Sequence, residues 1–358
     1  MNGDVSSILD AGDLRSVASV LERMGVEPPA VVRAEPAGTL GSLSRLTRIH
    51  VMPANSADET TAFTLMLKRE PENPAATAVT ELLDSLQREH GFYSSLPQVA
   101  DAVSLRCWDS QFVQSTGLVR ILLEDAGHQS LPTQRVGCPL DVAEEVVALL
   151  AKLHLATRNL PAGTDLGWCP SWTDGSISKV AVKYAESWPA FERRYSGLLS
   201  AEAMHVAGRL PRQMVDLAAE WGSARPLSVI HGDARLDNVV RRQDGSVRLI
   251  DWQMTTRAEG AFDLAHFLAG SLTTEDRRLN ETHLLDLYQS EQRAMGWSLL
   301  GRAELEDAVR RTALLVLPLN VIFGLAEASE AIAESRRIVL DRYFTAITEW
   351  SSGDFLRG

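Results

Sequence analysis

Clusters of basic residues are missing from this sequence. Lys and Arg number 35 against 47 Asp and Glu, for a net charge of −12. Nowhere do the cations gather into a patch, so neither nucleic acid nor an anionic membrane surface is expected as the main partner. Cysteine is scarce as well. Cys107, Cys138 and Cys169 are widely separated, without CxxC spacing or a nearby histidine pair, and read as ordinary thiols in a reducing compartment. No apolar run reaches the ~18 residues that a membrane span needs. The opening Met1-Asn2-Gly3-Asp4 has neither the basic nor the apolar region of a signal peptide, and a cytoplasmic location is expected. Low-complexity tracts and internal repeats are also lacking, which argues against disorder and solenoids.

What is present is a balanced composition, 45% hydrophobic and 23% charged over 358 residues. That length exceeds one ordinary core and suits two lobes. Leu14, Val17, Leu21 and Met24 recur at helical spacing between Asp13 and Gly25 and predict a short amphipathic helix. Strands are expected at Leu46 to Val51, Phe63 to Arg69, Val103 to Trp108 and Leu118 to Glu124. A helix from Thr77 to Tyr93 separates the second from the third, and a turn at Asp109-Ser110 joins the last two. After Gly127 the pattern is helical, with Val142, Val146, Leu149 and Leu153 on one stripe. One strand-rich island, residues 227 to 250, interrupts it with a hairpin turn at Asp244-Gly245. The apolar stretch from Ala313 to Leu325 reads as a core helix, kinked or broken by Pro318.

The island carries His231-Gly232-Asp233-Ala234-Arg235-Leu236-Asp237-Asn238 and, after the hairpin, Ile250-Asp251-Trp252. Phosphoryl transfer needs a carboxylate beside the attacking hydroxyl and oxygen ligands for the Mg2+ that neutralises the β- and γ-phosphates. Asp233 with Asn238 five positions on supplies both, and Asp251 on the far strand completes the metal site.

At these residues the chain resembles the aminoglycoside phosphotransferase and choline kinase superfamily, which carries an H-G-D-x-x-x-x-N loop followed by I-D-[WF] on a protein-kinase-like fold. The resemblance implies an α+β, bilobal architecture: a small antiparallel-sheet lobe with one helix over 1–125, and a larger, mostly helical lobe with the catalytic loop over 126–358. By it Asp233 positions the acceptor hydroxyl and takes its proton, Asn238 and Asp251 hold magnesium, and His231 braces the loop. The fold demands a lysine on the third strand and a glutamate on the next helix to grip the phosphates. Lys68 ends the alternating run Phe63–Lys68, and Glu89 lies in Arg88-Glu89-His90-Gly91-Phe92-Tyr93, similar to the R-E-x-x-F-Y helix of the ecdysteroid-kinase-like and related bacterial branch. Gly38 to Arg45 stands where a nucleotide-covering loop belongs, with Ser42 and Ser44 as phosphate contacts. Leu122 to Gly127 resembles the L-L-x-E-D-x-G segment whose backbone, at Glu124 and Asp125, would meet the adenine edge. His154 in Leu150–His154 is expected to be a buried, hydrogen-bonded histidine. Asp263 is expected to cap a helix or tie down the catalytic loop.

The expected activity is transfer of the γ-phosphoryl group of ATP or GTP to a hydroxyl of a small-molecule acceptor, with antibiotic inactivation (resistance) as one use. A metabolic kinase for choline, a sugar or a similar alcohol is the alternative, with Trp168, Trp172 and Trp252 as possible pocket walls. A non-catalytic pseudokinase scaffold would be marked by loss of one of the five site residues, and all five are present. Absence of D-F-G and A-P-E segments after Asp251 argues for a small acceptor over a peptide.

Overall fold

Asp10-Ala11-Gly12-Asp13 folds into a reciprocal cap. The Asp13 N–H donates to Asp10 Oδ1 and the Asp10 N–H to Asp13 Oδ2, both at 2.8 Å, which satisfies two of the donors a helix start leaves open. The helix that follows, α1 (Ala11–Arg23), begins earlier than its spacing predicts because Asp13 is the inner member of the box and Asp10 the cap. Gly25, at φ 72°, turns the chain away. The computed structural model describes the chain except residues 1–7, 27–30, 38–42, 53–62, 128–130, 159, 162, 225, 297–299, 327–328 and 358. It forms two units. The first is Met1–Gln129 with Arg242–Ser246 and Trp252–Met254; the second is Ser130–Arg241, Val247–Asp251 and Thr255–Gly358.

In the first unit, β1 (Val31–Ala37), β2 (Arg45–Val51), β3 (Phe63–Arg69), β4 (Cys107–Val113) and β5 (Leu118–Glu124) form one antiparallel sheet in the order β1-β2-β3-β5-β4. The period of two sends Leu65 and Leu67 of β3 into a cluster with Val17, Val20 and Leu21 of α1, and turns Thr64, Met66 and Lys68 to the other face. β1 was not foreseen. Pro36 lacks a ladder donor, and the strand sits at the sheet edge, where that is tolerated.

The expected helix from Thr77 to Tyr93 is two, α2 (Pro74–Leu83) and α3 (Ser85–Ser95), parted at Asp84 in the left-handed region at φ 50°, which Asp adopts more readily than most residues. Val103 ends a helix, α4 (Pro97–Val103), with Pro97 at its first position. Accordingly Asp109 and Ser110 lie inside β4 and not in a turn; the reversal falls after Val113, with Gly117 at φ 69°.

The second unit is helical around three short pairs of strands or bridges. Its helices are α5 (Leu140–Arg158), α6 (Ile177–Tyr195), α7 (Ala201–Arg209), α8 (Met214–Ala224), α9 (Ala261–Ser271), α10 (Thr274–Ala294), α11 (Arg302–Gly324) and α12 (Glu330–Glu349). α11 runs through Pro318 without a break. The island resolves into β6 (Ser228–Ile230), which pairs with β9 (Thr256–Ala258), and the hairpin β7 (Val239–Arg241) and β8 (Val247–Leu249). Gly245 takes φ 86° at the hairpin turn, which glycine adopts without strain. Among the described residues no helix is long and apolar enough to cross a membrane.

Asp13 is fully buried and binds two cations, Arg69 at 2.5 Å and Arg120 at 2.9 Å. Asp13→Ala removes the carboxylate shared by both guanidinium groups, which keep Asp10 and, for Arg69, Glu70 as partners, and the urea midpoint should report a loss of about 2 kcal/mol. The exposed Arg357–Glu220 pair is the control: Arg357→Ala should change stability by less than roughly 0.5 kcal/mol.

Candidate active site

In the first unit β3 and α3 meet through charge. Lys68 stands opposite Leu46 and Ile121 in the sheet. Its Nζ lies 2.6 Å from Glu89 Oε2, with side chains 6% and 0% exposed. Glu89 shares a face of α3 with Leu86, Phe92 and Tyr93, all buried, as i, i+3 and i+4 spacing requires. A buried pair of this kind repays its desolvation only with good geometry. Its value lies in fixing a lysine ammonium at one place.

Of the other residues expected to meet the nucleotide, Ser42 lies outside the described residues, whereas Ser44 is half-buried just before β2. Glu124 and Asp125 use their carboxylates structurally. Glu124 binds Arg242 at 2.7 Å, and Asp125 binds Arg48 at 2.6 Å and accepts the Gly127 N–H at 3.0 Å. Burial pushes the Asp125 carboxyl up, but the hydrogen bonds from Arg48 and Gly127 outweigh it and hold it below the usual range. Any contact with an adenine edge at this segment falls to the backbone. Trp252 is no pocket wall. It is fully buried, stacks on Phe92 at 3.7 Å and donates from Nε1 to Ser104 Oγ at 2.9 Å. Trp172 is also buried, edge-on to Phe262 at 5.6 Å.

The second unit holds the His231–Asn238 loop, and its geometry starts from Asp263 in the first turn of α9. Asp263 Oδ2 accepts the His231 N–H at 2.7 Å and His154 Nε2 at 3.0 Å, and Oδ1 accepts the Gly232 N–H at 2.9 Å. The carboxylate ties down the loop; it does not cap the helix. His154 is the buried, hydrogen-bonded residue its context predicts, with Tyr288 Oη at 2.9 Å on its other nitrogen. Gly260 is required here, since a Cβ would lie 2.5 Å from His154 Nδ1 and 2.9 Å from Tyr288 Oη. His231 braces the loop from within: Nδ1 accepts the Asp233 N–H at 3.3 Å and Nε2 donates to Ile250 O at 3.0 Å.

Around Asp233 the donors are unevenly shared. Oδ2 accepts Asn238 Nδ2 at 2.7 Å and Arg235 Nε at 3.1 Å, and Asn238 Nδ2 also reaches Asp233 O at 2.9 Å. Oδ1 faces His266 Nε2 at 3.7 Å, beyond hydrogen-bond length. Arg235 bridges on to Asp237 at 3.1 Å, and Asp237 Oδ1 accepts the Gln134 N–H at 3.2 Å. Arg342 then donates to Gln134 O and Arg135 O, at 2.6 and 2.8 Å. Sequence reasoning gave no role to Arg235, His266, Gln134 or Arg342. Arg235 stood inside the quoted loop, and His266 lies one helical turn after Asp263; Gln134 and Arg342 carry no local signal.

Asn238 commits its amide nitrogen to Asp233, leaving Oδ1 as its free acceptor atom. The Ile250 N–H donates to Asn238 O at 3.0 Å, so the hairpin brings Asp251, the next residue, toward Asn238. Asp251 holds φ 68°. An amide oxygen and a carboxylate suit Mg2+, which keeps waters and substrate phosphates as its other ligands. Among the described residues no group of three or more His, Cys, Asp or Glu could hold a metal by itself.

A family model described as the phosphotransferase enzyme family (APH) matches residues 54–297. This is well over half the chain, which belongs to that family. It is a small-molecule kinase with a hydroxyl acceptor. Among solved structures it is similar to a microcompartment-associated aminopropanol kinase, at 15% identity over 96% of this chain and 99% of that chain, TM-score 0.54. The choline kinase of Cryptosporidium parvum Iowa II gives 12% identity over 96% and 95%, TM-score 0.55. Choline kinase LicA from Streptococcus pneumoniae gives 13% over 96% and 100%, TM-score 0.51. These likenesses establish the fold, α+β and kinase-like, with the antiparallel sheet amino-terminal and the helices carboxy-terminal. No curated protein matches.

Burial pushes the Asp263 carboxyl up, but the His154 hydrogen bond, the neighbouring histidines and the Gly232 N–H outweigh it and hold it below its ordinary 3.8. Its stabilisation is therefore complete above that value and lost as pH falls through the lower, folded one. Urea midpoints of the wild type and Asp263→Asn should differ equally at about pH 7 and pH 5 and converge as pH falls below 3.8.

Proposed function

We propose that this enzyme moves the γ-phosphoryl group of ATP or GTP, as its Mg2+ complex, to a hydroxyl of a low-molecular-weight acceptor, with Asp233 as the base. The carrying observation is the division of labour on the Asp233 carboxylate. Asn238 and Arg235 both bind Oδ2, which fixes the group and leaves Oδ1, on a side chain 22% exposed, for the incoming hydroxyl. Asn238 Oδ1 and Asp251 hold the magnesium, which when bound offsets charge on the phosphates. Lys68, set by Glu89, pairs with phosphate oxygens, and the Ser44 segment and the Glu124–Asp125 backbone contribute to nucleotide binding.

As the acceptor approaches, its oxygen bonds to the γ-phosphorus, the bond to the bridging oxygen breaks, and the hydroxyl proton passes to Asp233 Oδ1. Positioning and electrostatics supply most of the acceleration in such a step.

Asp233→Ala should lower turnover at least about a hundredfold with nucleotide affinity nearly unchanged, as for a group acting in the transition state. Equal losses in both quantities, by turnover assay and calorimetry, would contradict the role. Asp251→Asn should abolish magnesium-dependent nucleotide binding; binding that keeps its metal dependence would refute the ligand assignment. A screen of hydroxylated antibiotics, choline, sugars and related alcohols for acceptor-stimulated release of nucleoside diphosphate identifies the acceptor. Stimulation by an antibiotic assigns the enzyme to resistance and by a metabolite to metabolism.

A further inference from the structure

α9 carries a second polar group to the catalytic carboxylate that the mechanism above does not use. His266 lies three residues after Asp263, on the same face of the helix that anchors the loop. Its side chain is 4% exposed, and its Nδ1 is buried with no hydrogen-bond partner among the described residues. It is the other nitrogen, Nε2, that faces Asp233 Oδ1, at 3.7 Å, too long for a direct hydrogen bond and wide enough for an oxygen that both atoms reach. The ring is held between Phe262 at 6.0 Å and Tyr343 at 5.6 Å, centroid to centroid. Tyr343 Oη donates to His266 O at 3.2 Å. Gly270 keeps that tyrosine in place, since any Cβ there would fall 2.0 Å from Oη. The imidazole is thus fixed from both sides.

We propose that His266 and Asp233 form a two-point seat for the acceptor hydroxyl, in which Asp233 Oδ1 receives the proton and His266 Nε2 donates a hydrogen bond to the oxygen. The two atoms are 3.7 Å apart. A single oxygen about 2.8 Å from each closes the triangle with ordinary hydrogen-bond lengths. Burial, outweighing the charge of Asp233, pushes His266 down to about 4, so at neutral pH the ring offers one N–H and keeps it. Binding one lone pair of the hydroxyl oxygen aims the other at phosphorus. The orientation acts in the reacting complex and has no part in holding the nucleotide.

The inference rests on the reading of Asp233 as the base, and the test separates the two. Wild type, His266→Phe and His266→Gln are assayed with MgATP for phosphoryl transfer to water and to glycerol, with thermal midpoints and ATP affinity measured alongside. Phenylalanine fills the ring's volume without its nitrogens, and glutamine restores an N–H at the reach of Nε2. The expected result is a loss of at least about tenfold in transfer for the phenylalanine variant, ATP affinity within about twofold, and recovery of most of the activity by glutamine. If the phenylalanine variant transfers as the wild type does, or both variants fold and are equally slow, His266 is packing and the seat is refuted. A wild type that binds MgATP yet transfers to neither water, glycerol nor any alcohol of the screen above refutes the kinase reading itself, and the seat with it.

Discussion

One buried carboxylate sets the geometry of the His231–Asn238 loop. Asp263 accepts two consecutive backbone N–H groups, those of His231 and Gly232, together with a histidine side chain. Charge-assisted bonds of this type are roughly twice as strong as neutral ones. Because Asp263 belongs to the first turn of a wholly buried helix, the loop inherits the rigidity of the core. His154, Tyr288 and Gly260 then serve Asp263, and His231 carries the order onward to Asp233 and to the strand that ends at Asp251. Each later member is placed by the one before it.

The two units use charge in different ways. Lys68 and Glu89 form a single sealed pair, in which the glutamate fixes where a cation stands. Around Asp233 the arrangement branches. Arg235 joins two aspartates, and Arg342, from the last long helix, fastens the segment that Asp237 grips. The Arg235 pairs are part-exposed and so add little stability, but they hold the group in one arrangement. The carboxylate is thereby restricted to presenting one oxygen.

The sequence made the grouping of the candidate residues more legible than the folding details. Asp233, Asn238 and Asp251 fall within one short island, so their grouping needs only a loop and a hairpin. Lys68 was readable from a strict alternation of two, and Glu89 from a helical face. The edge strand containing Pro36 escaped, as did the break at Asp84 and the helix ending at Val103, because propensity says little where sheet edges and left-handed residues decide the outcome. Trp252 suggested a pocket wall by its position after Asp251, whereas it packs against Phe92. Gln134 and Arg342 are 208 positions apart. No local pattern links such residues.

The left-handed backbone of Asp251 affects how sequence variation at this site is interpreted. Alanine there loses the carboxylate and also bears a conformational penalty of about 1 kcal/mol, whereas asparagine and glycine accept the same torsion with little strain. An inactive alanine mutant would therefore confuse misfolding with missing chemistry. Natural relatives that abandoned catalysis while remaining folded would be expected to carry asparagine or glycine at this position, leaving a recognisable trace of lost activity in a sequence of otherwise intact appearance.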